Sequence, residues 1–199
     1  MSARSLIIIM LGCLLMALLS LAALLIYEPA NREPLPEYGP SPDFELTDAE
    51  GNPLRRSDLE GKVWVVDFFF TSCAAVCPEL TKNMQVLHQE FQDNENVRLV
   101  NFSVDPIQDT PKTLKKYAMR YRADTSRWHF LTSLAEDPVA EIRQIALDGF
   151  KLGGSNDIII HSEKFALVDQ LGMIRGYYEG KNPEAMPGLV NDIKKLLRE

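Results

Sequence analysis

The sequence predicts an α/β domain that follows an apolar N-terminal helix. Uncharged, mostly apolar residues fill positions 6–26, a length typical of a membrane span. Beyond the prolines that come next, strand-like apolar runs alternate with amphipathic helical segments, a pattern typical of α/β folds. The formal net charge is −7 and no stripe of basic residues is present, so nucleic acid is not expected as a partner.

The apolar run at residues 6–26 is interpreted as an uncleaved transmembrane helix. A bilayer is crossed by about 20 apolar residues, whereas the apolar core of a cleaved signal usually has about 7–15. The run also lacks a clear small-residue cleavage site near its end. Cys13 lies inside it and is interpreted as a membrane-buried apolar residue, with a lipoprotein signal as the alternative.

The regions around this run divide the rest of the chain. We predict a cytoplasmic N-terminus at residues 1–4, a transmembrane anchor at residues 5–27, a proline-rich linker at residues 28–42 and one folded domain at residues 43–199. Arg4 precedes the apolar run and Glu28 follows it, an asymmetry that favours a cytoplasmic N-terminus and an external domain. The prolines of the linker favour an extended spacer between bilayer and domain.

The domain is predicted to begin with a hairpin and a strand–helix unit. A polar turn containing Gly51 separates short strands at residues 44–47 and 53–54. The continuous apolar run at residues 63–70 suits a strand that is buried on both faces. The helix after it carries four apolar residues at helical spacing, namely Leu80, Met84, Leu87 and Phe91.

Further elements follow from the same kinds of pattern. A second buried strand is predicted at residues 97–104, and Thr110-Pro111 is a suitable N-cap and first turn for a helix that ends near Tyr121. A short strand at residues 128–131 and a helix at residues 137–147 come next.

The C-terminal part completes the fold. Residues 165–169 and 173–178 form a predicted hairpin over a glycine-containing turn, and a last helix is predicted at residues 183–197. Two strand–helix units followed by a hairpin and a helix is the order of the thioredoxin fold. The predicted fold class is therefore α/β, thioredoxin-like, with an N-terminal transmembrane helix.

Two cysteines follow the first buried strand, where a helix is predicted to begin. Cys73 and Cys77 occupy positions i and i+4, which share one face of a helix, so both sulfurs can bind one metal ion or form a disulfide. Backbone N–H groups and the dipole at a helix N-terminus favour a thiolate over a thiol. A purely structural disulfide is the alternative, because the compartment outside the membrane is oxidising.

One of the three histidines is predicted to complete a metal site. His161 lies just before the strand at residues 165–169, in the loop that faces the cysteine helix in a thioredoxin fold. His88 and His129 are interpreted as structural or surface residues. Two thiolates and one imidazole suit copper, as Cu(I) or Cu(II). Zinc is the chemical competitor, but a structural zinc site needs a fourth ligand, and no obvious one is present.

Three ordered motifs of the chain resemble the signatures of the Sco (SenC) family. They are Phe70-Thr71-Ser72-Cys73-Ala74-Ala75-Val76-Cys77-Pro78, then Phe102-Ser103-Val104-Asp105-Pro106-Ile107-Gln108-Asp109-Thr110-Pro111, and His161-Ser162. The resemblance extends over the whole chain, including the N-terminal apolar run. It implies a thioredoxin fold, copper bound by Cys73, Cys77 and His161, and a role in assembling the dicopper centre of cytochrome c oxidase.

The resemblance also implies partners and a location. Cytochrome c oxidase subunit II would receive the copper, and other periplasmic copper chaperones or thiol reductants are further candidate partners. The absence of a long transit peptide favours a single-pass protein of a bacterial inner membrane, with its globular domain in the periplasm.

Two features of the motifs qualify these implications. Ala74 and Ala75 stand where family members usually have Pro and Asp, which leaves copper affinity, redox poise and partner choice open but not the identity of the ligands. Asp105 and Asp109 are interpreted as residues that shape the loop before the next helix rather than as metal ligands.

Three functions remain open from the sequence. The first is a copper metallochaperone without turnover, and the second is a thiol-disulfide oxidoreductase that acts on a periplasmic cysteine pair without copper transfer. Dependence on His161 separates these two. The third is a thiol peroxidase, because Thr71-x-Cys73 resembles the surroundings of a peroxidatic cysteine; Phe70 replaces the proline usual there, which argues against it.

Overall fold

The computed structural model describes residues 3–30, 34–152 and 163–199. The chain forms two compact units, Met1–Leu35 and Pro36–Glu199. The first contains the helix α1 (Ala3–Ala30). In the part of the chain that the structure describes, no helix reaches the length and hydropathy needed to traverse a bilayer. The transmembrane anchor therefore stays a prediction.

The described part of the second unit contains one mixed sheet of eight strands. The strands are β1 (Gly39–Pro40), β2 (Glu45–Asp48), β3 (Pro53–Arg55), β4 (Val63–Phe69), β5 (Val97–Ser103), β6 (Trp128–Thr132), β7 (Lys164–Val168) and β8 (Met173–Glu179). Their order across the sheet is β1-β8-β7-β4-β5-β6-β2-β3. Strands β4, β5 and β6 are parallel; β7 pairs antiparallel with β4 and forms an antiparallel hairpin with β8.

Helices connect and flank these strands. They are α2 (Cys77–Glu90), α3 (Pro111–Arg120), α4 (Pro138–Gln144) and α5 (Met186–Leu196). Two strand–helix units, a hairpin and a final helix follow one another as predicted, so the α/β thioredoxin-like fold is confirmed. The predicted helix at residues 137–147 differs in one respect, because α4 ends at Gln144 and continues as a π-helix, Ile145–Gly149.

The two faces of β4 explain its apolar sequence. All seven residues of the strand are buried, and successive side chains of a strand point to opposite faces of the sheet. Trp64, Val66 and Phe68 belong to a core cluster that includes Phe150. On the other face, the Phe69 ring packs against Tyr117 of α3 with centroids 5.1 Å apart. The predicted apolar face of α2 is also buried, at Leu80, Met84, Leu87 and Phe91.

The carboxyl ends of β4 and β5 lie side by side. Phe69 and Ser103 are paired in the parallel register, and the backbone N–H of Val104 donates to the carbonyl oxygen of Phe69 at 2.8 Å. The loops that follow, residues 70–76 and 104–110, therefore begin at neighbouring points. This is the edge at which open α/β sheets place their binding sites.

Part of the proline-rich segment belongs to the compact unit. Strand β1 lies within the predicted linker and pairs with β8. Arg175 of β8 donates from Nε to the carbonyl oxygen of Pro36 at 3.0 Å and pairs through Nη1 with Asp169 at 2.7 Å. Because these contacts fix residues 36–40 to the sheet, the folded unit extends upstream of residue 43.

Candidate metal centre at Cys73 and Cys77

The two cysteines lie on either side of a helix start. Cys77 is the first residue of α2, whereas Cys73 lies in the loop before it, with its N–H donating to the carbonyl oxygen of Phe70 at 3.2 Å. The prediction that both cysteines share a face of one helix is wrong in this respect. Pro78 explains the helix start, because proline lacks an N–H and is tolerated only in the first turn.

The two thiols nevertheless lie close enough to affect each other's ionisation. Both cysteines are free thiols in the structure; Cys77 is buried and Cys73 half-buried. The exposed residues Ala74 and Ala75 lie between them, so the site borders the surface of the domain.

The surroundings shift the pKa values of the two thiols in opposite directions. Burial opposes ionisation of Cys73, but hydrogen bonds from the Cys77 thiol and from the backbone N–H groups of Cys77, Ala75 and Val76 lower its pKa below the ordinary value. Burial is the main cause, and the neighbouring Cys73 thiol a further one, of a pKa for Cys77 that is raised to about 12. The expected stabilisation of a thiolate at a helix N-terminus is thus found at one of the two sulfurs.

A buried carboxyl group that the sequence did not single out acts on Cys77. Asp67 of β4 accepts a hydrogen bond at Oδ2 from Nδ2 of Asn101 at 2.7 Å, and Asn101 accepts in turn from the indole N–H of Trp128 at 2.6 Å. Among the described residues, Oδ1 of Asp67 has no hydrogen-bond partner. Burial raises the pKa of Asp67 well above its ordinary value, and its negative charge, when present, opposes ionisation of Cys77. The signal in the sequence was one acidic residue inside an apolar strand.

The second motif, which runs from Phe102 to Pro111, shapes the loop beside the cysteines. The carbonyl oxygen of Asp105 accepts from the N–H of Gln108 at 3.1 Å and from that of Asp109 at 2.9 Å. Thr110 then caps α3 by accepting from the N–H of Thr113 at 3.4 Å. Asp109 is almost fully buried, and its carboxylate bonds to Thr71 in the cysteine loop. These contacts support the interpretation of Asp105 and Asp109 as loop-shaping residues.

The histidines differ in what the structure describes. His161 lies outside the described residues, so its predicted role as a ligand stays a prediction. His88 packs on Trp128 and accepts a hydrogen bond at Nε2 from the N–H of Asp124 at 3.3 Å. Burial lowers the pKa of His129 in β6 to about 4, which keeps this imidazole neutral. Within the described ranges, no three histidine, cysteine or acidic side chains converge as a metal site.

The fold and the thiol pair define a class of protein. The chain is a thioredoxin-like protein in which the helix after the first central parallel strand begins at a pair of free cysteines. The SCO1/SenC family model matches residues 36–198, which is nearly all of the second compact unit. The chain therefore belongs to the SCO1/SenC family, as the motifs predict.

Individual relatives agree with this assignment. A protein of Stutzerimonas stutzeri, whose name describes it as copper-binding, is 36% identical over 199 residues, or 98% of this chain and 94% of the relative. The crystal structure of a SCO1/SenC family lipoprotein from Bacillus anthracis has a TM-score of 0.71 at 34% identity and covers 80% of this chain and 95% of its own. BsSco, described as a member of the Sco family of cytochrome c oxidase assembly proteins with a disulfide switch, has a TM-score of 0.71 at 31% identity, covering 82% and 98%.

Proposed function

We propose that this protein is a membrane-anchored copper metallochaperone. It binds copper through Cys73, Cys77 and His161 and delivers the metal to the dicopper centre of cytochrome c oxidase subunit II, or prepares the thiols of that centre. The observation that carries the proposal is the pair of free cysteines at the start of α2, one of which, Cys73, has a lowered pKa.

The donor groups of the site fit copper as a cargo. Thiolate sulfur is a soft ligand that selects Cu(I), and an imidazole from His161 would complete a set that also suits Cu(II). Cys73 is half-buried and lies beside exposed alanines, so a partner protein can approach one side of the site. A metal that is held at an accessible site can be transferred, whereas a closed structural site retains it.

Family membership supports the role and the destination. The S. stutzeri relative carries a name that describes copper binding, and BsSco is described within a family of cytochrome c oxidase assembly proteins. The proposed location is the periplasmic face of a bacterial inner membrane, with residues 5–27 as the anchor. The B. anthracis relative is described as a lipoprotein, which also implies attachment to a membrane.

Removal of single ligands tests the proposal. The reduced protein is expected to bind about one copper ion per chain. Cys73→Ser, Cys77→Ser and His161→Ala should each weaken binding by more than about 100-fold, because loss of second-shell partners alone costs about 10–100-fold. Thiolate-to-Cu(II) absorption in the visible range follows the change.

Two other histidines provide matched controls for this experiment. His88→Ala and His129→Ala remove imidazoles that pack within the domain and should leave the copper spectrum nearly intact. An unchanged spectrum and affinity in His161→Ala would show that the histidine assignment is wrong.

Deletion of the gene should lower oxidase activity under copper limitation, with partial rescue by added copper; full activity at every copper level would contradict delivery.

A second function is favoured by the inequality of the two thiols. A thiol-disulfide oxidoreductase would use the Cys73 thiolate to attack a disulfide of the partner, which releases one partner sulfur as a thiolate and forms a mixed disulfide with the other. Cys77, after losing its proton, would then attack the sulfur of Cys73 and release the second partner sulfur. The products are a Cys73–Cys77 disulfide and a reduced partner dithiol. The test is whether the His161→Ala variant reduces an oxidised cysteine pair of subunit II. A rate equal to that of the wild-type protein would support this function over copper transfer.

A further inference from the structure

We propose that Asp109 is a positioning residue for the cysteine loop: its carboxylate fixes Thr71 and so holds Cys73 beside the start of helix α2, where Cys77 lies. This inference deepens the proposed function, since it concerns the same site. It assigns a specific role to a residue that is neither a metal ligand nor one of the two redox thiols.

Both carboxyl oxygens of Asp109 accept hydrogen bonds from neighbouring residues. Oδ2 accepts from the backbone N–H of Thr71 at 3.0 Å and from the hydroxyl of Ser103 at 2.6 Å, and Oδ1 accepts from the hydroxyl of Thr71. Asp109 is 1% exposed. Two of these three bonds join Asp109 to Thr71, which lies in a loop 38 residues earlier in the chain.

Asp109 is itself held firmly. Its N–H donates to the carbonyl oxygen of Asp105 at 2.9 Å, and the next residue, Thr110, caps α3. Ser103, the third donor, is the last residue of β5 and is fully buried. The carboxylate is thus placed by the central sheet and by a helix, and it can act as a fixed point for a loop.

The loop that it holds is short and fixed at both ends. Thr71 follows the end of β4 by two residues, and the N–H of Cys73 donates to the carbonyl oxygen of Phe70 at 3.2 Å. At the other end, α2 begins at Cys77. With both ends fixed, few conformations remain for the loop, and the one observed places Cys73 beside the start of α2.

The dithiol–disulfide equilibrium with glutathione tests this role. Each Cys73–Cys77 disulfide that forms reduces one glutathione disulfide to two glutathiones. In the full-length protein carrying Cys13→Ala, Asp109→Asn should shift the equilibrium constant about tenfold toward the disulfide. The reason is that the dithiol geometry depends on the fixed loop, whereas a disulfide closes the loop by its own bond. Asn keeps the shape of Asp but replaces one of its two accepting oxygens with an amide nitrogen that can only donate.

Variants of Thr71 and a remote aspartate make the test specific. Thr71→Val, which lacks the hydroxyl, should shift the equilibrium in the same direction, and Thr71→Ser should restore the wild-type value. Asp124→Asn is the matched control, because Asp124 also accepts from a backbone N–H and a hydroxyl, both of Ser126, at 3.1 and 2.6 Å. It should leave the equilibrium unchanged.

The outcomes separate this inference from the proposed function. Two outcomes would overturn the positioning role. One is an equilibrium constant within about twofold of wild type in both Asp109→Asn and Thr71→Val when these variants are folded. The other is a shift of the equilibrium constant in Asp124→Asn that equals the shift in Asp109→Asn. If Asp109→Asn does not fold, the comparison of Thr71→Val with Thr71→Ser decides. The measurement requires no copper, so a wild-type protein that fails to bind copper would remove the proposed function and leave this result standing.

Discussion

The thiols of Cys73 and Cys77 lie close enough to affect each other's ionisation, and their interaction lowers the pKa of Cys73 while it raises that of Cys77. Cys77 is 3% exposed, and burial raises its pKa to about 12. Cys73 is half-buried and has a lowered pKa, because the hydrogen bonds it accepts outweigh the effect of burial. Cys73 is therefore the sulfur that ionises first.

Selective alkylation should reveal this inequality. In the reduced Cys13→Ala protein, iodoacetamide is expected to label Cys73 before Cys77 at pH 7, because only a thiolate reacts and Cys73 has the lower pKa. Cys77→Ala removes the thiol donor and should slow labelling of Cys73 about fivefold. Mass spectrometry of the peptides gives both rates.

Unfolded protein is the control for that measurement. In denaturant the hydrogen bonds and burial are lost, so the two cysteines should react at similar rates. Equal labelling in the folded protein, or labelling of Cys77 first, would contradict the assignment.

Oxidation of the pair should block uptake of copper. The sulfurs that would hold the metal are those that form the disulfide, and a disulfide has no thiolate to offer. Oxidised protein should bind copper only after a reductant is added, and copper-loaded protein should resist oxidation of Cys73 and Cys77. Thiol titration and copper stoichiometry, measured on one sample, provide the comparison. Equal copper stoichiometry in the oxidised and reduced forms would refute the gating.

Neutralising Asp67 should stabilise the domain at neutral pH. The pKa of this buried group is raised above 3.8 in the folded state, so the unfolded chain loses the proton at lower pH than the folded one. Its contribution to stability is present below about pH 4 and is lost as the pH rises through the folded-state value. Asp67→Asn should raise the free energy of unfolding at pH 7 by about 1–3 kcal/mol.

Urea unfolding at pH 4 and pH 7 measures this effect. The gain in Asp67→Asn should be larger at pH 7 than at pH 4. Asp93→Asn, at an exposed position, is the control and should change stability by less than about 0.5 kcal/mol. A loss of stability at pH 7 in Asp67→Asn would show that the folded domain favours the charged carboxylate.

The apolar N-terminal run should remain in the mature protein. Intact mass of the protein recovered from membranes is expected to include residues 6–26, since the run is longer than the apolar core of a cleaved signal. A membrane-impermeant thiol reagent should label Cys73 in intact spheroplasts of a Cys13→Ala strain. A soluble product that begins beyond Tyr27, or labelling only after lysis, would refute the anchor.

Local patterns were sufficient to determine the order of elements and the position of the cysteine pair. Three features depend only on residues that are close together in the chain: the apolar run that forms β4, the helical spacing of Leu80, Met84 and Leu87, and the Thr110 cap of α3. The three motifs were also sufficient to predict the family, which the match over residues 36–198 confirms. His161 lies outside the described residues, so the complete ligand set remains a prediction.

Tertiary structure alone decided the chemistry around the sulfurs. The sheet buried Asp67 beside Asn101, and the parallel pairing of β4 with β5 brought Asp109 to Thr71. Neither relationship can be found from a local sequence pattern, because each joins residues whose proximity depends on how strands pair. Burial and hydrogen bonding then set the two thiol pKa values, and both are properties of the packed neighbourhood rather than of the residue type.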